Sequence, residues 1–298
     1  MKVLIAVLVA LVVAMAAGGG LIYQRQVEAR ESAGAELAKA REQLSLSAAA
    51  GTKKGAEADL LAQLYAKRIE LGDTMVKGVL GAGFKYEQAQ RQLLTSPSPD
   101  AYRALRSSLD ELIDSGSKAQ AQSVSLGEFL QKNRETLAPY SAITNEIDKF
   151  LATASGGQRL VERCRACRES VREAKLGVLS QESWQNIDLT VTKGDIFVVS
   201  ASGDWSYAPS RRTLSGNHQA TVTAQGEEWD ATYKLNPQLP NGALMGRIHG
   251  SELMFPAGSG FAADRDGKLE FRINDTVLND NKGTIDIVVW AFTPLKFE

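Results

Sequence analysis

The sequence predicts a multidomain chain, α plus all-β: an N-terminal membrane or signal helix, a helical bundle or stalk, and a C-terminal β-sandwich. Three observations predict it. An uncharged apolar run opens the 298-residue chain. Apolar residues then recur every three or four positions to about residue 177, and beyond Ser180 the period falls to two. The expected divisions are 1–23, 24–178 and 181–293.

The apolar run begins behind Lys2, extends from Val3 to Ala17 and continues through Leu21-Ile22-Tyr23. Counted to Tyr23 it is about 21 residues, near the roughly 20 that span a bilayer as a helix. Ala14-Met15-Ala16 also has the small-residue form of a signal-peptide cleavage site. Both readings place the remainder outside the cytoplasm. It is either anchored in the membrane through residues 3–23 or secreted after cleavage.

From Gln24 onward, Ala, Glu, Lys, Arg and Leu dominate, all good helix formers. Leu60, Leu61, Leu64, Tyr65 and Ile69 mark one helix face. Ser96-Pro-Ser-Pro-Asp100 breaks the pattern, with Ser98 as N-cap and Pro99 as first helical residue of the next helix. Ala101, Leu105, Leu109 and Ile113 form that helix's apolar stripe. A further helical pattern runs from about Leu126 to Leu151, interrupted near Pro139. A charged last helix is expected over Gln158 to Lys175. Such a region can serve as a stalk, and a homo-oligomer formed through it would add avidity. A sensory bundle is the alternative reading.

Cys164 and Cys167 form a C-x-x-C within the last helix, beside Arg163, Arg165 and Arg168. In an oxidising compartment this reads as a structural disulfide, within the chain or between two stalks. Nearby positive charge favours thiolates, so redox work and a metal shared between chains are the other readings.

In the C-terminal part, Ile187, Leu189 and Val191 alternate with polar residues, as do Leu269, Phe271 and Ile273, then Ile285, Ile287 and Val289. Turn signals such as Lys193-Gly194-Asp195 and Pro240-Asn241-Gly242 separate them, the signature of an all-β sandwich. Between two of these strands, Asp275, Asn279, Asp280 and Asn281 fall within seven residues. Calcium takes six to eight oxygen ligands in flexible geometry, and a loop folded back between strands can aim several at one point. Thiolate and imidazole ligands are missing there, which disfavours zinc. Asn and Asp also cluster in ordinary turns because they bond their own backbone.

Three segments carry a family resemblance. They are Trp184 with Gly194-Asp195 and Ser202-Gly-Asp-Trp-Ser-Tyr207; then Gly242-Ala-Leu-Met-Gly-Arg-Ile248; then Ile273-Asn-Asp275 through Asp280-Asn281-Lys-Gly283. In this order residues 181–293 resemble the LecA-type galactophilic, calcium-dependent bacterial lectins. The resemblance implies a galactose-binding-like jelly roll. It also implies calcium held by the Tyr207 backbone carbonyl, by side-chain oxygens of Asp275, Asp280 and Asn281, and by one carbonyl from Leu278 or Asn279. Thr276 would meet the sugar through its backbone, and His218-Gln219 lies in the region of the family's sugar-contacting pair. Asp280 stands where the founder has a neutral amide, which adds a carboxylate. The stretch between Tyr207 and Gly242 departs from the family, so the sugar it selects does not carry over. Trp205 and Trp229 are able to stack on a sugar, although packing is the default for either.

The formal net charge is -1, and residues 181–293 carry 14 acids against 9 bases, which excludes a nucleic-acid-binding surface. No nucleophile elbow and no H-E-x-x-H motif occurs, so no enzyme is expected. The expected function is calcium-dependent carbohydrate binding outside the cytoplasm. The alternative is a structural cell-envelope protein whose sandwich is stapled by calcium and binds no sugar.

Overall fold

The computed structural model describes residues 52–154, 157–207, 220–227, 234–251, 254–256 and 260–295. The apolar segment 3–23 lies outside them. Among the described residues no helix is long and apolar enough to cross a membrane. The chain combines helices with two antiparallel sheets.

Helix α1 (Thr52–Asp73) passes through a π-helical stretch, Thr74–Leu80, into α2 (Gly81–Thr95). The Ser-Pro-Ser-Pro break then separates α2 from α3 (Pro99–Lys132). The Ala101 N–H donates to Ser98 Oγ at 3.1 Å, so one orphan donor of the first turn is satisfied. Pro99 has no N–H to leave unpaired, and the Asp100 carboxylate faces the positive end of the helix dipole. Ala101, Leu105 and Leu109 are buried as the stripe predicts, but the next buried residue is Leu112 and Ile113 is half-buried. A period of 3.6 drifts away from strict four-residue spacing, and the stripe moves with it. A 3-10 turn at Ala138–Tyr140 precedes α4 (Ser141–Ala154), and α5 spans Gly157–Ser170.

The chain forms two compact units. The described part of the first comprises residues 52–84, 111–154 and 157–162. Leu61, Leu64, Leu71, Ala119, Leu126, Leu130, Leu137 and Ile147 make its core. The second comprises residues 85–110 and the described residues from Arg163 onward.

In the second unit one sheet has the order β1 (Arg172–Leu179), β9 (Lys282–Phe292), β3 (Ile196–Tyr207), β4 (Ala220–Thr223), with β7 (Gly260–Ala262) also on β3. The other has the order β2 (Gln185–Val191), β8 (Gly267–Ile273), β5 (Leu244–Ile248), β6 (Met254–Pro256). The alternating residues read from the sequence in β2, β8 and β9 all turn into one shared core, joined by Phe197, Val199, Trp205 and Tyr207 of β3.

The structure corrects the end of the helical region. Residues 172–179, expected as helix to Lys175 and stalk to 178, are strand β1, paired along its whole length with β9 from Ala291 to Thr284. Ala174, Leu176 and Val178 face the core. The local run Arg-Glu-Ala-Lys favours helix, but an open edge of β9 beside a period-two apolar triplet outweighs that propensity. The change of element follows Ser170, whose hydroxyl donates back to the Cys167 carbonyl at 2.6 Å. Arg172 then fixes the strand's start, donating to Thr190 O at 2.6 Å and to the buried Asp195 carboxylate at 2.8 Å. The boundary expected near 181 is therefore displaced: β1, the C-terminal half of α5 and residues 85–110 all belong to the unit that holds the sheets.

Candidate functional site

Three strand ends converge on the turn between β8 and β9. β8 continues one residue past its ladder with β5, because Asn274 N–H donates to Ala243 O at 2.7 Å and Gly242 N–H to Asn274 O at 3.2 Å. β3 ends beside the same turn. Ser206 pairs with Lys282, and Tyr207 follows it as the last residue of β3. β1 ends there as well, with Leu179 opposite Thr284 and Ser180 N–H donating to Gly283 O at 3.2 Å.

Two glycines permit this convergence. Gly283 has φ +101°, and a Cβ there would come within 3.0 Å of the Trp205 Cα. Gly242 has φ +67°, and a Cβ would strike the Tyr207 ring at 2.8 Å. Only glycine takes such a backbone and such contacts without strain.

Asn274 holds the base of the turn. Its amide donates to Asn236 O, Leu239 O and Pro240 O at 3.0, 3.1 and 2.9 Å, and its oxygen accepts the Asn236 N–H at 2.8 Å. Fully used this way, Asn274 is a clamp rather than a ligand.

Asp275 is 2% exposed. Its Oδ1 accepts the Val277 N–H at 2.9 Å. Burial pushes its pKa above the ordinary carboxylate range, and the charge of Asp280 adds to that rise; hydrogen bonds from Val277, Asn281 and Thr276 work against it. Arg272 does not neutralise the carboxylate by hydrogen bonding, since its Nη2 donates to the Asp275 main-chain oxygen at 2.6 Å. Asn281 is fully buried. Its Nδ2 donates to Ser180 O at 3.2 Å, while its Oδ1 is buried with no hydrogen-bond partner. Asp275, Asp280 and Asn281 are thus brought together, with Tyr207 at the adjoining strand end. Thr276 and Asn279 are exposed on the same turn. The Leu278 carbonyl accepts the Asn281 N–H at 3.3 Å.

These residues fit a hard, oxygen-preferring cation. Carboxylates held close together inside the protein repel one another, and a buried amide oxygen without a donor costs free energy unless something fills it. Among the described residues there is no cluster of three or more His, Cys, Asp and Glu able to hold a metal. Here amide and carbonyl oxygens would make up the donor set, as suits calcium.

His218, Gln219 and Trp229 lie outside the described residues. Trp205 is 1% exposed and donates from Nε1 to Gly242 O at 2.8 Å, so it is a packing residue.

The expected Cys164–Cys167 disulfide is not formed: both thiols are free, 0% and 4% exposed. Burial and the neighbouring Cys167 push Cys164 up to about 11, the Arg163 charge lowering it only in part. Burial likewise raises Cys167, against which the Tyr86 hydroxyl stands at 3.8 Å. Arg168 turns to Asp110 at 2.8 Å instead of serving the thiols. The pair is packed as two neutral groups.

Sequence reasoning missed the polar face of the β2–β8–β5–β6 sheet. Glu270 and Arg272 alternate with the core residues and read as solvent-facing, yet they are 4% and 7% exposed. Burial alone would raise Glu270, but hydrogen bonds from His249 and Arg247, each 2.7 Å long, outweigh it and lower the pKa. Trp184 packs its ring against the guanidinium of Arg247, 4.1 Å from the centroid, with Arg272 at 5.7 Å. The signal in the sequence was a lone tryptophan near strands carrying two arginines.

No protein-family model matches the chain, and no curated protein matches it in sequence.

Proposed function

We propose that the protein is a calcium-dependent, lectin-like carbohydrate-binding protein. In this reading it acts outside the cytoplasm, anchored through residues 3–23 or secreted after cleavage. The observation that carries it is the buried Asn281 Oδ1, without a hydrogen-bond partner beside the buried carboxyl of Asp275. Both groups are costly where they stand, and a divalent cation would offset both. Asp275, Asp280 and Asn281 would hold it through side-chain oxygens and Tyr207 through its carbonyl. Leu278 or Asn279 would supply the remaining carbonyl; that of Leu278 also accepts the Asn281 N–H, which leaves it a second lone pair.

Bound calcium would supply open coordination positions that two vicinal hydroxyls of a sugar can fill. The chain's own contribution is to fix the donors before ligand arrives and to place the exposed residue Thr276 beside them. The resemblance to LecA-type lectins supports a jelly-roll topology and this use of the turn. It does not specify the sugar, because the stretch carrying His218 and Gln219 departs from that family. No catalytic step belongs to this reading.

The test is calcium titration of the full chain, followed by glycan-array binding in calcium and in EDTA. Retention of neutral glycans in calcium alone, abolished by Asp275→Ala with Asp280→Ala, is expected. Glycan binding that persists in EDTA would overturn the reading. A melting temperature raised by calcium with no glycan retained would leave only the structural role, a calcium-stapled sandwich in an envelope assembly.

A further inference from the structure

The segment between β1 and β2, Ser180 to Trp184, runs along both ends of the β8–β9 turn. At the far end of the turn, Ser180 donates from its N–H and its hydroxyl to Gly283 O at 3.2 and 3.1 Å. The Gln181 side chain donates from Nε2 to Asn281 O at 2.7 Å. Ser180 O accepts the Asn281 amide N–H at 3.2 Å. A carbonyl can only accept, so this contact fixes which end of the Asn281 amide is which. The NH₂ faces Ser180, and the oxygen is the end left buried and open to a cation.

At the near end, Arg272 donates from Nη2 to Asp275 O at 2.6 Å and from Nε to Ile273 O at 3.1 Å. Trp184 lies against that guanidinium and against Arg247, which is itself held by Glu270 at 2.7 Å. The segment is also closed on itself. Gln185 accepts the Leu179 N–H at 2.9 Å and donates to Leu179 O at 2.8 Å.

We propose that the Ser180–Trp184 strap, acting with Arg272, is the positioning frame of the cation site. Gln181 and Arg272 hold the main-chain oxygens of Asn281 and Asp275 from outside, and so set the two ends of the turn at a fixed separation. This rests on the calcium reading above. Neither residue would touch the ion. Their effect is preorganisation: without the frame, the turn must be ordered when the cation binds, and that cost appears as lost affinity. Partners of this kind are worth about 10–100-fold in metal affinity when removed.

Gln181 is exposed, so replacing it leaves the core untouched. The experiment is isothermal titration of the full chain with calcium chloride, alongside melting in EDTA. The variants are Gln181→Met, of similar length but without a donor, and Gln181→Lys, which keeps one. The expected result is a calcium Kd about tenfold weaker for Gln181→Met, with an unchanged apo melting temperature. Gln181→Lys should recover most of the affinity. Wild-type affinity in Gln181→Met would overturn the frame while leaving the calcium reading standing. An apo melting temperature that falls in step with affinity would make the strap merely structural. Absence of calcium binding by the wild-type chain would remove both proposals.

Discussion

The indole of Trp290 stacks on the ring of Tyr102, centroids 5.7 Å apart and planes inclined by 26°. Trp290 alternates with the core residues Val289 and Ala291 of β9, so it leaves the sheet on the side away from the shared core. Its Nε1 donates to the Glu173 carboxylate at 2.8 Å, and this hydrogen bond is the main reason the Glu173 pKa is lowered. Trp290 is 1% exposed, and Tyr102 of α3 is 7% exposed. A face that alternation alone would assign to solvent is therefore a second packing layer within the sheet-bearing unit. A double-mutant cycle with Tyr102→Leu and Trp290→Leu, read by urea unfolding, should give a coupling of about 1 kcal/mol, as buried aromatic pairs do. Additive losses would mean the rings do not interact.

The same layer determines where the chain can be cut. A fragment beginning at 181 keeps the β8–β9 turn but loses β1, which pairs with β9 over eight positions. It also loses Tyr86, whose hydroxyl accepts the Leu295 N–H at 3.1 Å. Val178 alone buries a side chain worth about 1.5–3 kcal/mol, and the half-buried Leu176 adds to it. Such a fragment should express poorly or melt broadly, judged by circular dichroism and heat capacity. A sharp transition at the full chain's temperature would show β1 to be dispensable.

Most of the sheet core was legible because its residues alternate. Ile187, Leu189, Leu269, Phe271, Ile285 and Ile287 each occupy the buried face the period assigns them. The turn holding Asp275, Asp280 and Asn281 was legible as a cluster of oxygens, and Ser98 as a cap. β1 was not, because Arg172-Glu-Ala-Lys carries helical propensity and its strand state comes from β9, more than 100 residues away. Nor were Gln181 and Arg272 legible as partners of the turn, since their hydrogen bonds go to main-chain oxygens, which carry no residue-type signal. The thiols misled for the reverse reason. Their spacing suggested a disulfide or redox pair, while burial beside Tyr86 makes them neutral packing groups.

Thiol chemistry follows from that burial. With Cys164 pushed up to about 11 and neither sulfur accessible, almost no thiolate is presented near pH 8. Native protein should leave both cysteines unlabelled by Ellman's reagent, and denaturant should release two reactive thiols. Absence of reaction in denaturant without reductant would mean that the pair is oxidised.

The Asp275 carboxyl makes apo stability depend on pH in an unusual direction. Its folded pKa lies above the ordinary value because burial, and then the charge of Asp280, disfavours the ionised form. A raised folded pKa means the folded state binds the proton more tightly than the unfolded chain. The associated stability is complete below the unfolded pKa and is lost as pH rises through the folded one. Glu173 and Glu270, both lowered, run the other way and lose their contribution as pH falls. The comparison must therefore be a difference between wild type and Asp275→Asn, in which those two groups cancel. In EDTA the variant should gain on wild type as pH rises from about 4 to 8, because it carries no charge to bury and its oxygen can still accept the Val277 N–H. In calcium at neutral pH the order should reverse. Wild type at a hundredfold excess over Kd should gain about 2.7 kcal/mol, and the variant close to none. Thermal melts across that pH range, with and without calcium, read both effects. A wild-type chain that parallels Asp275→Asn in EDTA would show that the carboxyl is not destabilised by burial.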